Sequence, residues 1–319
     1  MKVYVVGGGA VGRYLGGLLA DHGGEVIYAP RDLEQVVPID GLDLALVAVK
    51  SYDTPGAVET LRRALGRAMG TTILTVQNGI GAEEQLAEAF GADAVASGAL
   101  TVPVQLDDDR VLATGSGGLG IAPVGGASIN WLLAAFGSTG IEVRSYADYR
   151  ALKWSKLVIN LVANATCAIL DSLPEHLVKH PGAFRLEVHA LREAVRVVRA
   201  QGIALVDLPR YRVRALANAL RLPSALARLL LASRVAGARG EKPPSLLLDL
   251  RSGRPRTEVS ALNGAVVRAG KAAGVPTPVN AVLTDILEDI VRSQALWAKY
   301  RQRPEALIAR VDEATGGRW

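Results

Sequence analysis

Three polar side chains recur at four-residue intervals in an otherwise apolar stretch: Lys156, Asn160 and Asn164, within the run from Lys153 to Leu170. A helix that is apolar nearly all round is a buried one, and a spacing of four stacks side chains on one face. The run therefore predicts an ammonium and two carboxamides in register on a buried helix face. Left unpartnered, a buried amide costs about 1–3 kcal/mol and a charge more. The stripe thus either lines a polar cavity or joins a helix–helix hydrogen-bond network with a snorkelling lysine. The chemistry open to the first arrangement is proton donation. Desolvation disfavours a charged lysine and draws its pKa toward the working range of a general acid. Carbonyl reduction needs such a donor, because hydride arrives at carbon while the oxygen takes a proton.

A second chemical element opens the chain. Gly7-Gly8-Gly9-Ala10-Val11-Gly12 places Gly-x-Gly-x-x-Gly between a strand-like run and a helical one. Gly7 permits the tight turn, Gly9 lets backbone approach a pyrophosphate, and Gly12 lets the helix pack close to the sheet. The helix N-terminus then offers N–H groups to an anion. Cofactor choice falls near the end of the second strand, where a carboxylate suits the ribose 2′-OH of NAD and an arginine the 2′-phosphate of NADP. The strand ends Val26-Ile-Tyr-Ala-Pro-Arg31, with no carboxylate before Arg31. That predicts NADP (as NADPH), with NAD kept open by Asp32.

Both elements need a scaffold. Lys2–Val6, Glu25–Tyr28, Asp43–Val49, Thr71–Val76 and Asp93–Ser97 read as strands, and Ala10–Asp21, Asp53–Arg67 and Ala82–Phe90 as helices between them. Regular alternation predicts a parallel sheet covered on both faces. Short strands from Gly98 to Ile121 predict an antiparallel extension of the same sheet, closed by a helix at 127–136 and a strand at 141–144. After Tyr149 the strands stop, and prolines punctuate a helical remainder. The expected domains are 1–149, of dinucleotide-binding type, and 150–319, all helical.

With 319 residues, half of them hydrophobic, the chain can bury two cores. No apolar run reaches membrane-spanning length, and the N-terminus opens into a strand-like run without a secretory or transit segment. The lone Cys167 fits a reducing cytoplasm, so a cytoplasmic protein is expected. A net charge of +5 raises the question of a polyanionic partner, but aromatics at 5% are too few for nucleic-acid stacking platforms. Arg210, Arg212, Arg214 and Arg221 form the densest basic stretch, read as the solvated face of a helix, with an anionic ligand or partner as the alternative. No spacing of His, Cys and carboxylates suggests a metal site. His189 reads as structural and Cys167 as a packed core thiol.

Across nearly its whole length the chain resembles the ketopantoate (2-dehydropantoate) reductase family. The resemblance rests on ordered landmarks: Gly7-x-Gly9-x-x-Gly12, Arg31, Ala48-Val-Lys50, Gln77-Asn78-Gly79-Ile-Gly81 and Lys156-x-x-x-Asn160-x-x-x-Asn164. Pro244-Ser245-Leu-Leu-Leu-Asp249, Gly253-Arg-Pro-Arg-Thr257-Glu258, Leu262-Asn263-Gly264 and Gly274-Val-Pro-Thr-Pro278 follow. It implies an α/β fold: an N-terminal Rossmann-type doubly wound sheet with a C-terminal all-helical domain, 6-phosphogluconate dehydrogenase-like. It also implies NADPH-dependent reduction of 2-dehydropantoate to pantoate, toward pantothenate and coenzyme A. In that reading the catalytic residues are Lys156, the general acid, and Glu258, which accepts a hydrogen bond from a substrate hydroxyl and also contacts the cofactor. Ser245 binds the substrate carboxylate, Asn160 and Asn164 orient substrate, and Lys50 and Asn78 flank the nicotinamide end, with Asn78 also reaching the substrate. The partner is a small 2-oxo acid, and a homodimer through the helical domain follows by analogy. Taken alone, Lys50 is a loop lysine, Asn78-Gly79 a turn, Ser245 a cap for a helix beginning at Leu246, and Glu258 a solvated first-turn acid. The segment between Arg31 and Lys50 is shorter than in the family, and Lys242 stands where the family carries an asparagine. Two rivals remain: reduction of another 2-oxo acid, and a nonenzymatic NADP(H) sensor.

Overall fold

The central strands form where aliphatic runs must be covered on both sides. In the computed structural model, which describes residues 1–66, 70–108, 110–223, 226–227, 230, 232 and 243–319, β3 (Leu44–Val47) is buried at every position. Arg67, Asp109 and Lys242 lie outside the described residues. Around β3 lie β1 (Lys2–Val6), β2 (Glu25–Tyr28), β4 (Thr72–Thr75), β5 (Val95–Leu100), β8 (Gly118–Pro123) and β9 (Glu142–Ser145). These build a seven-stranded sheet in the order β2-β1-β3-β4-β5-β8-β9. The first five strands are parallel, β8 is antiparallel to β5, and β9 is parallel to β8.

Strand alternation sorts the core into two layers. Val3, Val5, Leu44 and Leu46 share a cluster with Leu15 and Leu19 of α1 (Ala10–Asp21) and Leu132 and Phe136 of α4 (Asn130–Gly137). Tyr4, Val6, Ala45 and Val47 meet Val58 and Leu61 of α2 (Thr54–Leu65) and Leu86 of α3 (Ala82–Phe90). The strand order reverses at β1, flanked by β2 on one side and β3 on the other, which is where doubly wound sheets open a ligand crevice.

The antiparallel extension is realised only in part. β6 (Val104–Asp107) and β7 (Arg110–Ala113) pair with each other in a separate two-stranded sheet. Their residues are half-buried or exposed and lack the two-sided apolar character that an interior strand needs.

The chain divides into two compact units: Met1–Lys156 with Asp207–Tyr211, and Leu157–Val206 with Arg212–Trp319. The division therefore falls inside α5 (Tyr149–Leu161), not ahead of it. The excursion 207–211 is held to the first unit by Tyr146 Oη donating to the Asp207 carbonyl at 2.8 Å and Thr101 Oγ1 to that of Pro209 at 3.0 Å. This corrects the reading of the arginine stretch. Arg210 sits in a turn at φ +66°, 3.8 Å from Glu142, and α9 (Val213–Ala219) begins only after Arg212.

The second unit is helical: α6 (Ala165–Leu170), α7 (Pro174–Lys179), α8 (Pro181–Ala200), α9, α10 (Ser245–Arg251), α11 (Asn263–Ala272), α12 (Pro278–Arg292) and α13 (Pro304–Thr315). Buried Glu193 of α8 accepts from the Val279 and Asn280 amides, both at 2.9 Å, and so caps α12. A carboxylate there also meets the positive end of the helix dipole. Among the described residues no helix is long and apolar enough to cross a membrane.

Candidate cofactor and proton-donor site

The glycine motif sits at the carboxyl end of β1, at the reversal point. A Cβ on Gly12 would lie 1.9 Å from the Gly7 carbonyl oxygen, and one on Gly7, at φ +120°, 2.6 Å from the Ala48 carbonyl carbon. Those two glycines are demanded by the fold itself. At Gly8 and Gly9 an added Cβ would meet nothing within 4 Å among the described residues, so packing of those residues does not explain them. Gly9 is also the N-cap of α1, with no side-chain cap and no acid in the first turn. A helix N-terminus with no acid in its first turn, beside an open glycine pair, fits a pyrophosphate.

At the end of β2, Arg31 is exposed. Asp32, the residue that keeps NAD open, has its carboxylate engaged locally. Its Oδ1 accepts from the Glu34 amide at 3.0 Å and its Oδ2 from Gln35 Nε2 at 3.2 Å, capping a 3₁₀ turn over Leu33–Gln35.

The loops that follow β3 and β4 carry Lys50 and Asn78, both half-buried. Buried Gln77 joins them: its Nε2 donates to Thr54 Oγ1 at 2.9 Å and to the Lys50 carbonyl at 3.5 Å, and its Oε1 accepts from Thr75 Oγ1 at 3.1 Å. Gly79 and Gly81, at φ +87° and +116°, turn the chain from Asn78 into α3.

The expectation of a deeply buried Lys156 is corrected: that side chain is half-buried. The lysine the fold withdraws from water is Lys153, one turn earlier on α5. Lys153 Nζ lies 3.0 Å from Glu83 Oε1, with side chains only 3% and 1% exposed, and also donates to the Gln77 carbonyl. Ser97 Oγ donates to the same Glu83 oxygen at 2.8 Å. Also on α5, Tyr149 Oη donates to Glu84 at 3.2 Å; burial and the neighbouring Glu84 push its pKa up to about 12. A lysine inside an apolar run was the available signal for Lys153, but its partner lies seventy residues away.

The three-residue stripe is also corrected. Lys156 and Asn160 stack on α5, but the helix ends at Leu161 and α6 starts at Ala165, with Ala163 at φ +52° between them. Glu187 of α8 holds this break. It accepts from the Ala163 amide at 2.7 Å and from Thr166 Oγ1 at 2.6 Å. Asn164, buried, is thereby turned toward α10. Its Nδ2 donates to the Asn160 carbonyl at 2.9 Å and to Ser245 Oγ at 3.4 Å, while its Oδ1 accepts from the Leu246 amide at 3.2 Å. The cap on α10 thus comes from Asn164 rather than from Ser245, which is the first residue of that helix. Glu258 is buried, not solvated, and opens a 3₁₀ turn behind the Thr257 cap.

The model of ketopantoate reductase PanE/ApbA matches residues 28–126, and that of its C-terminal part matches 148–291. The chain belongs to the ketopantoate reductase family. A 2-dehydropantoate 2-reductase of Halobacterium salinarum is 31% identical to it over 320 residues, which span 90% of this chain and 98% of that one. Among solved structures, a PanE/ApbA family ketopantoate reductase from Ralstonia eutropha JMP134 superposes with a TM-score of 0.76 at 29% identity, covering 92% of this chain and all (100%) of that one. A ternary structure of D-mandelate dehydrogenase with NADH and anilino(oxo)acetate shares the fold at 21% identity, with a TM-score of 0.74 over 92% of this chain and 99% of that one.

Proposed function

We propose that this member of the ketopantoate reductase family reduces 2-dehydropantoate to pantoate with NADPH. The observation that carries the reading is an open glycine pair, Gly8–Gly9, in the same compact unit as a lysine, Lys156, whose helix is anchored beside Asn78. The residues present fit a nicotinamide dinucleotide. Gly7 to Gly12, including Ala10 and Val11, would hold the pyrophosphate, Arg31 the ribose 2′-phosphate, and Lys50 and Asn78 the nicotinamide end. The lack of a carboxylate between Val26 and Arg31 favours NADP over NAD, and the local cap fixes the orientation of the Asp32 carboxylate that follows.

When bound, the dihydronicotinamide supplies a hydride equivalent. Lys156 Nζ gives its proton to the keto oxygen as that oxygen gains charge, and recovers one from solvent afterwards. Asn160, one turn along α5, orients the substrate. Ser245 hydrogen-bonds its carboxylate, and Glu258 accepts from its hydroxyl. Asn164 acts through Ser245 and the start of α10, since its amide is already engaged there.

The test is a panel of 2-oxo acids, each assayed with NADPH and with NADH by loss of reduced-nicotinamide absorbance. The reading expects the highest kcat/KM for 2-dehydropantoate with NADPH. Equal kcat/KM across the panel removes the substrate assignment, and NADPH binding without turnover on any member favours a sensor.

A further inference from the structure

Strand hydrogen bonding between β3 and β4 continues to the Val76 amide, which donates to Val47 at 3.0 Å, and the next residue leaves the ladder. A backbone carbonyl buried at such an exit needs another donor. Here the donor is a lysine ammonium from α5, itself paired with a buried carboxylate from the first turn of α3. A buried ion pair is a weak device for stability alone, since desolvating two charges offsets their attraction, but it fixes geometry when its remaining hydrogen bonds are satisfied. Glu83 is satisfied further by Ser97, and a second tie four residues earlier on α5, from Tyr149 to Glu84, grips the same turn of α3.

Three things meet in this cluster. Gln77 immediately precedes Asn78, its amide also binds the backbone of Lys50, and Lys153 lies three residues before Lys156 on one helix. We infer that the Lys153–Glu83 pair is a positioning strut that sets Lys156 relative to the Lys50 and Asn78 loops, so that the proton donor and the nicotinamide end are held in one rigid frame. Neither residue touches the reacting atoms. The inference rests on the proposed reduction only for what the frame is used for; the frame itself is a property of the first unit.

Removing one charge would strand the other, so the first variant removes both: Lys153→Met with Glu83→Leu. We expect NADPH Kd within about threefold of the parent and kcat lower by about tenfold or more, as displacements of an ångström or less at a reacting centre can cost this much. The primary deuterium isotope effect on kcat should rise as hydride transfer becomes the slow step. Amide exchange over residues 77–81 should accelerate by about tenfold or more, reflecting local opening. Lys153→Arg, which keeps charge and donors, should recover most of the rate. A double variant with kcat within about twofold of the parent, unchanged exchange over 77–81, or a Lys153→Arg enzyme as slow as the double variant would overturn the strut. If the double variant does not fold, Ser97→Ala decides: it strips one hydrogen bond from Glu83, and an unchanged kcat and exchange rate refute the inference, while a loss of about threefold at the parent's Tm supports it. Absence of turnover in the parent would defeat the proposed reduction instead, and the exchange experiment alone would then judge the strut.

Discussion

Replacing Glu187 by alanine should cost about 3 kcal/mol, because its carboxylate carries the helix break between α5 and α6. In the fold it accepts from the Ala163 amide at 2.7 Å and from Thr166 Oγ1 at 2.6 Å, and Ala163 and Thr166 are both buried. Each orphaned donor is worth about 1–3 kcal/mol. Two effects run the other way: Ala163, held at φ +52°, releases about 1–2 kcal/mol of left-handed strain if the break relaxes, and a desolvated carboxylate is no longer buried. At about 2–4 °C per kcal/mol for a unit of this size, the helical unit should melt about 6–12 °C lower. Calorimetry of Glu187→Ala, Thr166→Val and the double variant forms the assay. The cycle should show coupling of about 1 kcal/mol or more, since Thr166→Val removes one of the donors that Glu187→Ala would strand. A shift under about 2 °C, or strict additivity with Thr166→Val, would refute the assignment of Glu187 as the holder of the break.

Lys156→Ala should lower kcat by about 100-fold or more while NADPH binding, followed by fluorescence titration, stays within a few-fold; an unchanged kcat would exclude proton donation by Lys156. Arg31→Ala should raise KM for NADPH by about 10–100-fold and spare NADH, as loss of a charge-assisted phosphate contact predicts; equal effects on both cofactors would defeat the phosphate assignment. Burial and the nearby Arg192, Arg185 and Arg196 lower the His189 pKa to about 4, with its ring edge-on to Trp319 at 5.3 Å. Being depressed below the unfolded value, near 6.5, it leaves the unfolded chain binding the extra proton between those values, so stability falls as pH drops through that window. The side chain is half-exposed, so solvent screening holds the effect to about 1–2 kcal/mol. His189→Gln should flatten Tm against pH between about 4 and 6.5, and an unaltered slope would remove His189 as its source.

Part of the fold, and of how the candidate site residues are arranged, was legible in sequence because its signals are local. Alternating aliphatic runs specify strands buried on both faces, and Gly7 and Gly12 occupy places where any Cβ would collide with backbone. Lys156 and Asn160 share a helix face because four residues is nearly one turn.

What the sequence left open depends on residues far apart in the chain. No glycine or proline marks the break at Ala163; it exists because Glu187, on another helix, offers a carboxylate to an amide that would otherwise have continued α5. Lys153 and Lys156 are the same residue type in the same apolar run, and only the arrival of Glu83 from α3 decides which of them leaves water. Asn164 caps α10 across some eighty residues. Helical periodicity fixes which face a side chain occupies. Whether a polar group on that face meets a partner is decided by packing, since the cost of burying it is settled only when a distant acceptor or donor is brought alongside.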